Sequence, residues 1–194
     1  ILVKIGIDLG GTKTEGILLS SQGKELKRKR IKTEKNYKGT INGIVSIVKD
    51  FEDEFENCSS IGIGMPGAVS LDSALVKNAN SIWLNNQPLK KDLELELNRS
   101  VNLENDANCF ALSEAVDGAG KNANVVFGVI IGTGVGGGVV VNKKVLQGRN
   151  NICGEWGHIT LPNKTDDEKK YVNKCYCGKS GCIETYLSGP GFSS

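Results

Sequence analysis

The chain has 194 residues, 39% hydrophobic and 24% charged, with a formal net charge of +2. That balance excludes a collagen-like, low-complexity or wholly disordered chain, and no apolar run approaches the roughly 20 residues of a membrane-spanning helix. The length fits one large domain, or one domain and part of a second.

Ile1 to Leu9 reads as a strand, because Lys4 and Asp8 interrupt the apolar run that a signal peptide would need. Ile5–Leu9 and Glu15–Ser20 flank a glycine turn, and Glu25–Ile31 follows as a third strand. The basic run from Lys24 to Lys35 contains Leu26 and Ile31, and reads as a charged sheet edge rather than a nucleic-acid patch. Ile41, Ile44, Val45, Val48, Phe51 and Phe55 share one helical face. Ser60–Gly64 is a short strand ending in the turn Met65-Pro66-Gly67. Leu89, Leu93 and Leu97 recur on a helix introduced by Pro88, and Val101–Leu103 is a strand leading through Asn105-Asp106 into a helix over Ala107–Val116. Val125–Ile131 reads as a buried strand. It is followed by a glycine turn from Gly132 and a partner strand over Gly138–Asn142. This repeats the strand, glycine-threonine turn and strand of the first twenty residues, and so points to two related lobes. The repeat also locates much of the glycine excess: 25 residues, close to twice the usual share of about 7%.

Asp8-Leu9-Gly10-Gly11-Thr12-Lys13 is a turn whose backbone N–H groups and hydroxyl suit phosphate oxygens, with Asp8 placed to hold Mg2+ through water. An ordinary two-glycine hairpin is the alternative. Gly132-Thr133-Gly134 favours the phosphate reading by repetition, although neither turn carries a Walker lysine or opens a helix. Asp106, between a strand and a helix with Asn105 and Asn108 beside it, suits a base that orients a hydroxyl during phosphoryl transfer. The competing reading is a helix cap.

The chain's one histidine lies in Gly154-Glu155-Trp156-Gly157-His158, upstream of Cys175, Cys177 and Cys182, three of its six cysteines. One imidazole and three thiolates make a closed, structural zinc site; a disulfide with a spare thiol is the alternative. Cys58, Cys109 and Cys153 read as small core residues. Glu155 and Glu184 flank the ligands and have the chemistry to bind sugar hydroxyls, or to be ordinary exposed carboxylates. The cysteine usage favours a reducing, cytoplasmic compartment.

These motifs together resemble the ROK family of repressors and kinases. The resemblance rests on Asp8 to Lys13, Pro66-Gly67, Asn105 to Asn108, Gly132 to Gly134, Glu155-x-Gly157-His158 and Cys175-x-Cys177-Gly178-x-x-Gly181-Cys182-x-Glu184. It implies an α/β chain of the actin/hexokinase-like ATPase (ribonuclease H-like) fold. One lobe would occupy residues 1–118, and the start of a second, with the zinc loop, residues 119–194. It implies transfer of the ATP γ-phosphate to the 6-hydroxyl of a hexose, with ATP, Mg2+ and structural Zn2+ required.

By position Asp106 is then the catalytic base, and Gly67, Asn80, Asn105, Glu155, His158 and Glu184 contact sugar. Asp8, Gly10, Gly11, Thr12, Lys13, Gly132, Thr133 and Gly134 hold nucleotide and metal, and His158, Cys175, Cys177 and Cys182 hold zinc. Val76 to Ser81, Trp83-Leu84, Gln87-Pro88, Ser113 to Gly118 and Cys175-Tyr176-Cys177-Gly178-Lys179 look most like fructokinases, so fructose is the expected substrate, with N-acetylglucosamine kinase or glucokinase next. A sugar-responsive repressor without its DNA-binding domain is the alternative of another class. The resemblance implies a homodimer, with no nucleic-acid or membrane partner. Family kinases are longer, so this chain is expected to be truncated in its second lobe and deficient in its nucleotide site.

Overall fold

The computed structural model describes residues 2–55, 58–170 and 172–193, and the side chains of Cys58 and Ser59 fall outside that description. The expected strand position of Ile1 and the expected core placement of Cys58 therefore lie outside the described residues. The chain divides into two compact units, one through Asp106 and the other from Ala107 onward. That division falls within the first turn of the helix over Asp106–Val116, whose Ala111 and Ala115 pack with the second unit's sheet.

In the first unit, β1 (Val3–Leu9), β2 (Lys13–Ser20), β3 (Glu25–Lys32), β4 (Cys58–Met65) and β7 (Asn102–Asn105) form a sheet in the order β3-β2-β1-β4-β7. β1, β2 and β3 pair antiparallel, whereas β4 runs parallel to both β1 and β7. Alternation on β1 buries Val3, Ile5, Ile7 and Leu9 and exposes Lys4 and Asp8. α1 (Tyr37–Glu52), capped by Asn36 accepting the Gly39 N–H at 2.7 Å, buries Ile41, Ile44, Ile47, Val48 and Phe51 in the same core. Phe55, expected on that helix, lies beyond its end and packs against the core from there. A Cβ on Gly16 would strike Ile47 and Phe51, so glycine lets α1 lie close on β2. β5 (Ala68–Val69) and β6 (Val76–Lys77) form a small ribbon, and α2 (Leu89–Leu97) buries Leu89 and Leu93 before ending at Asn98 in the left-handed region, φ 51°.

In the second unit, β8 (Val125–Ile131), β9 (Val135–Val141) and β10 (Lys144–Val145) form an antiparallel sheet in the order β10-β9-β8. Ala111 and Ala115 of α3 (Asp106–Val116) pack on Val140, with Val126 and Val145 beside them. Two expectations change here. β9 begins at Val135 rather than Gly138, so Gly136 to Gly138 are strand glycines, not turn residues. They are needed for approach: a Cβ on Gly138 would meet the Ala107 carbonyl at 2.7 Å. β8 is not buried either. It forms one edge of the sheet, and Val125, Phe127 and Ile131 are 62%, 50% and 54% exposed. Cys109 and Cys153 are half-buried rather than core residues. α4 (Asp166–Lys170), α5 (Glu184–Leu187) and α6 (Gly189–Phe192) are short, and α6 forms where Gly189-Pro190-Gly191 reads in sequence as a turn. Among the described residues no helix is long and apolar enough to cross a membrane.

Candidate functional site

Parallel pairing of β1, β4 and β7 brings three strand ends to one edge of the first sheet, with Asp8 opposite Gly64 and Met65 opposite Asn105. Ligands of open α/β sheets gather at such carboxyl ends. The Gly10–Lys13 turn follows β1, Pro66-Gly67 follows β4, and Asn105-Asp106 closes β7. Asn105 donates its amide to the Gly67 carbonyl at 2.9 Å. Gly67 sits at φ +77°, and a Cβ there would meet the Ala79 nitrogen at 2.7 Å, so both the conformation and the close approach require glycine. Asn85 holds Ala79 through two bonds of 2.9 Å, fixing the loop that carries Asn80. Ser81 Oγ lies 3.4 Å from Asn80 Oδ1 and would meet a Cβ on Gly11 at 3.1 Å, which places the glycine turn beside Asn80. Asp106 is exposed in the first turn of α3, where the helix dipole favours an anion.

The glycine turn is a β1–β2 hairpin closed by the Gly10 N–H donating to the Lys13 carbonyl at 3.0 Å. Asp8 faces Glu15 across the strand pair; desolvation first, then the charge of Glu15, raises its carboxyl above the ordinary 3.8, against the pull of Arg30. The second hairpin is closed in the same way, with the Gly132 N–H donating to the Gly134 carbonyl at 2.9 Å. Here the structure adds a role for Glu184. It is 8% exposed, and one of its carboxylate oxygens accepts the Val135 N–H at 2.9 Å, at the foot of the turn.

His158 belongs to a short 3-10 turn, Trp156–His158, tied to β9 by the Trp156 indole donating to the Gly136 carbonyl at 2.7 Å. The cysteine loop reaches it through paired Thr160 and Cys182 and turns at Gly178 and Gly181, both at positive φ. The ligand atoms of His158, Cys175, Cys177 and Cys182 all lie within 4.8 Å of one another. His158 Nδ1 is 3.5 Å from Cys175 Sγ, and the Sγ atoms of Cys177 and Cys182 are 3.7 Å apart. The edges of a tetrahedron around zinc, with metal–ligand bonds of about 2.1 and 2.3 Å, are about 3.6 and 3.8 Å, so the donor set fits. All three thiols are free in this structure. Burial pushes the Cys182 thiol up to about 12 and raises that of Cys175, so a bound cation would hold them as thiolates.

With Nδ1 turned to the thiols, His158 Nε2 points to the Tyr176 hydroxyl at 3.1 Å, and the two rings meet edge to face at 5.2 Å. Desolvation and then the charges of Glu184, Cys175 and Glu155 push the Tyr176 phenol up to about 12. In the sequence Tyr176 enters only within the fructokinase-like stretch Cys175 to Lys179, with no role assigned to it; no periodicity or rare residue type singles it out. The basic run behaves as an edge: Arg28 and Arg30 bridge to Glu15, and Lys27 and Lys29 bridge to Asp50 at 2.9 and 3.1 Å.

An N-acetyl-D-glucosamine kinase of Vibrio vulnificus (strain YJ016) is 41% identical over 192 residues, 96% of this chain and 63% of that protein. One from Pectobacterium carotovorum subsp. carotovorum (strain PC1) is 40% identical over the same shares. The chain thus spans less than two thirds of the length of these curated relatives. A ROK family glucokinase from Streptomyces griseus, solved with glucose and AMPPNP, is 33% identical with a TM-score of 0.82, covering 97% of this chain and 58% of its own. A ROK hexokinase from Thermus thermophilus is 30% identical with a TM-score of 0.80, covering 97% and 61%. The ROK family profile matches residues 4–194. Given that match and these neighbours, the chain belongs to the ROK family and has its actin/hexokinase-like ATPase fold.

Proposed function

We propose that the chain serves an ATP-dependent sugar kinase that phosphorylates the 6-hydroxyl of a hexose, with N-acetyl-D-glucosamine the first candidate. The observation that carries the reading is the gathering of the glycine hairpin, Gly67 and Asn105-Asp106 at one edge of the first sheet. The names of relatives 40 and 41% identical move the substrate from fructose, which the sequence motifs favoured, to N-acetyl-D-glucosamine.

In this reading Asp106 accepts the proton of the sugar hydroxyl as its oxygen bonds to the γ-phosphorus. The bond to the β-phosphate bridge breaks and ADP leaves with that electron pair. The carboxylate is a weak base, but phosphoryl transfer rests mainly on positioning and charge neutralisation. Asn105, pinned to Gly67, orients the hydroxyl, and Asn80 contacts the ring. The amides of Gly11, Thr12, Lys13, Thr133 and Gly134 hold phosphate oxygens, the Gly10 and Gly132 amides close the two turns that present them, and Asp8 would hold Mg2+ through water. In the second unit, His158, Cys175, Cys177 and Cys182 would hold zinc, and four protein ligands would give it a structural role. With Nδ1 turned to the thiols, His158 would carry its proton on Nε2 and donate it to a sugar hydroxyl in place of Tyr176, with Glu155 and Glu184 as acceptors for other hydroxyls.

The test is a coupled assay of ADP release by the protein at its full natural length, with N-acetyl-D-glucosamine, glucose, mannose and fructose. The expected result is sugar-dependent release with the highest kcat/KM for N-acetyl-D-glucosamine. Release with none of the four overturns the reading.

A further inference from the structure

Thr33, the first residue beyond β3, is 3% exposed and makes three hydrogen bonds, all toward the glycine hairpin. Its N–H donates to the Thr12 carbonyl at 3.0 Å, and its hydroxyl donates to the Gly10 carbonyl at 2.8 Å. The hydroxyl of Thr14, also buried, lies 2.8 Å from that of Thr33. A hydroxyl has one proton, and Thr33 gives its own to Gly10, so Thr14 is the donor to Thr33. The result is a directed relay from Thr14 through Thr33 to the Gly10 carbonyl, whose members strengthen one another away from water.

The consequence falls on the turn. The Gly10 N–H closes on the Lys13 carbonyl. With the two bonds from Thr33, the carbonyls of Gly10, Thr12 and Lys13 are all engaged within the protein. A turn that binds phosphate must present N–H groups and keep carbonyl oxygens away from the anion, because two partly negative oxygens repel. The second hairpin solves the same problem without a threonine: Gly132 donates to Gly134, and the Gly132 carbonyl accepts the Gly189 N–H at 2.7 Å. In each hairpin the leading glycine's carbonyl is held by a donor from a distant segment, a side-chain hydroxyl in one and a backbone amide in the other.

We propose that Thr33, supported by Thr14, is a positioning residue that fixes the carbonyls of the Gly10–Lys13 hairpin inward so that its amides are preset for the nucleotide's phosphates. This rests on the kinase reading above. Thr33 touches no substrate, so its effect is selective for the nucleotide.

The experiment measures KM for Mg-ATP, KM for sugar and kcat in the full-length protein for wild type, Thr33→Val, Thr33→Ser and Thr14→Val, with thermal midpoints as a folding control. Thr33→Val should raise KM for Mg-ATP about tenfold, the weight of one buried hydrogen bond, and leave sugar KM within about twofold. Thr33→Ser keeps the hydroxyl and should restore most of the ATP affinity. Thr14→Val, which removes only the outer donor, should give a smaller rise and decides the matter if Thr33→Val does not fold. An unchanged KM for Mg-ATP, an equal rise in both KM values, or a Thr33→Ser as impaired as Thr33→Val overturns the proposal and leaves the kinase reading standing. If wild type turns over no sugar, the kinase reading fails, and amide chemical shifts of Gly11 and Thr12 on adding Mg-ADP decide the inference alone. Shifts present in wild type and lost in Thr33→Val support it; shifts absent from wild type or equal in both proteins overturn it.

Discussion

Asp8 stands at the end of β1 with Glu15 opposite, and desolvation together with that neighbour raises its carboxyl above the ordinary 3.8. A raised value means the protonated form persists to higher pH, so a metal held through Asp8 is lost earlier on acidification than an ordinary aspartate would allow. The KM for Mg-ATP is therefore expected to climb as pH falls, beginning above the usual aspartate range, and Asp8→Asn should flatten that rise while raising KM throughout; a pH series of initial rates checks it. At this scale, legibility followed chemical rarity. One histidine and three clustered cysteines stand out in any composition, and the structure brings their ligand atoms within 4.8 Å. Asp106 and Asn105 were legible by position, at a strand-to-helix junction. Thr33 and Tyr176 were not, because a threonine after a basic strand and a tyrosine between two cysteines acquire meaning only from what folds against them.

The elements were legible where one face meets one core. α1 announces itself by its apolar spacing, and β1 by its alternation. β9 was misplaced because three glycines read locally as a turn, when their function is to let α3 and the Trp156 turn come close to the strand. β8 reads as buried from composition alone, yet its odd-numbered residues face away from α3 at the edge of the sheet. The tie between α1 and α2 offers a test. Tyr37 donates to Asp92 at 2.7 Å, and burial, then Asp92, holds the phenol protonated well above its ordinary range, so the bond persists through neutral and moderately alkaline pH. Tyr37→Phe should cost about 1 kcal/mol, read as a fall in the thermal midpoint of about 2–4 °C, with sugar and ATP KM values unchanged.

At the scale of the whole molecule, the chain divides into two compact units after Asp106, and α3 packs on the sheet of the second. Local sequence could not place that boundary, since it depends on which sheet the helix packs against. The second unit has a small core of Ala111, Ala115 and Val140 among its buried residues, so the Cys/His cluster is expected to contribute much of its order. A strong chelator, or Cys175→Ser, should release about one zinc per chain. The loss should increase exchange of the Ile183 and Leu161 amides, whose bonds join the cysteine loop to the His158 segment, while the amides of β1 and β4 remain protected; hydrogen exchange with metal analysis reads both.

In the proposed reaction Asp106 takes the proton as phosphate passes from ATP to a sugar. The most direct test compares wild type with Asp106→Asn, both carrying the same zinc content, for ADP release with N-acetyl-D-glucosamine. Wild type is expected to give robust sugar-dependent release, and the variant a fall in kcat of about 10²–10⁴. Comparable kcat in the two proteins would contradict it.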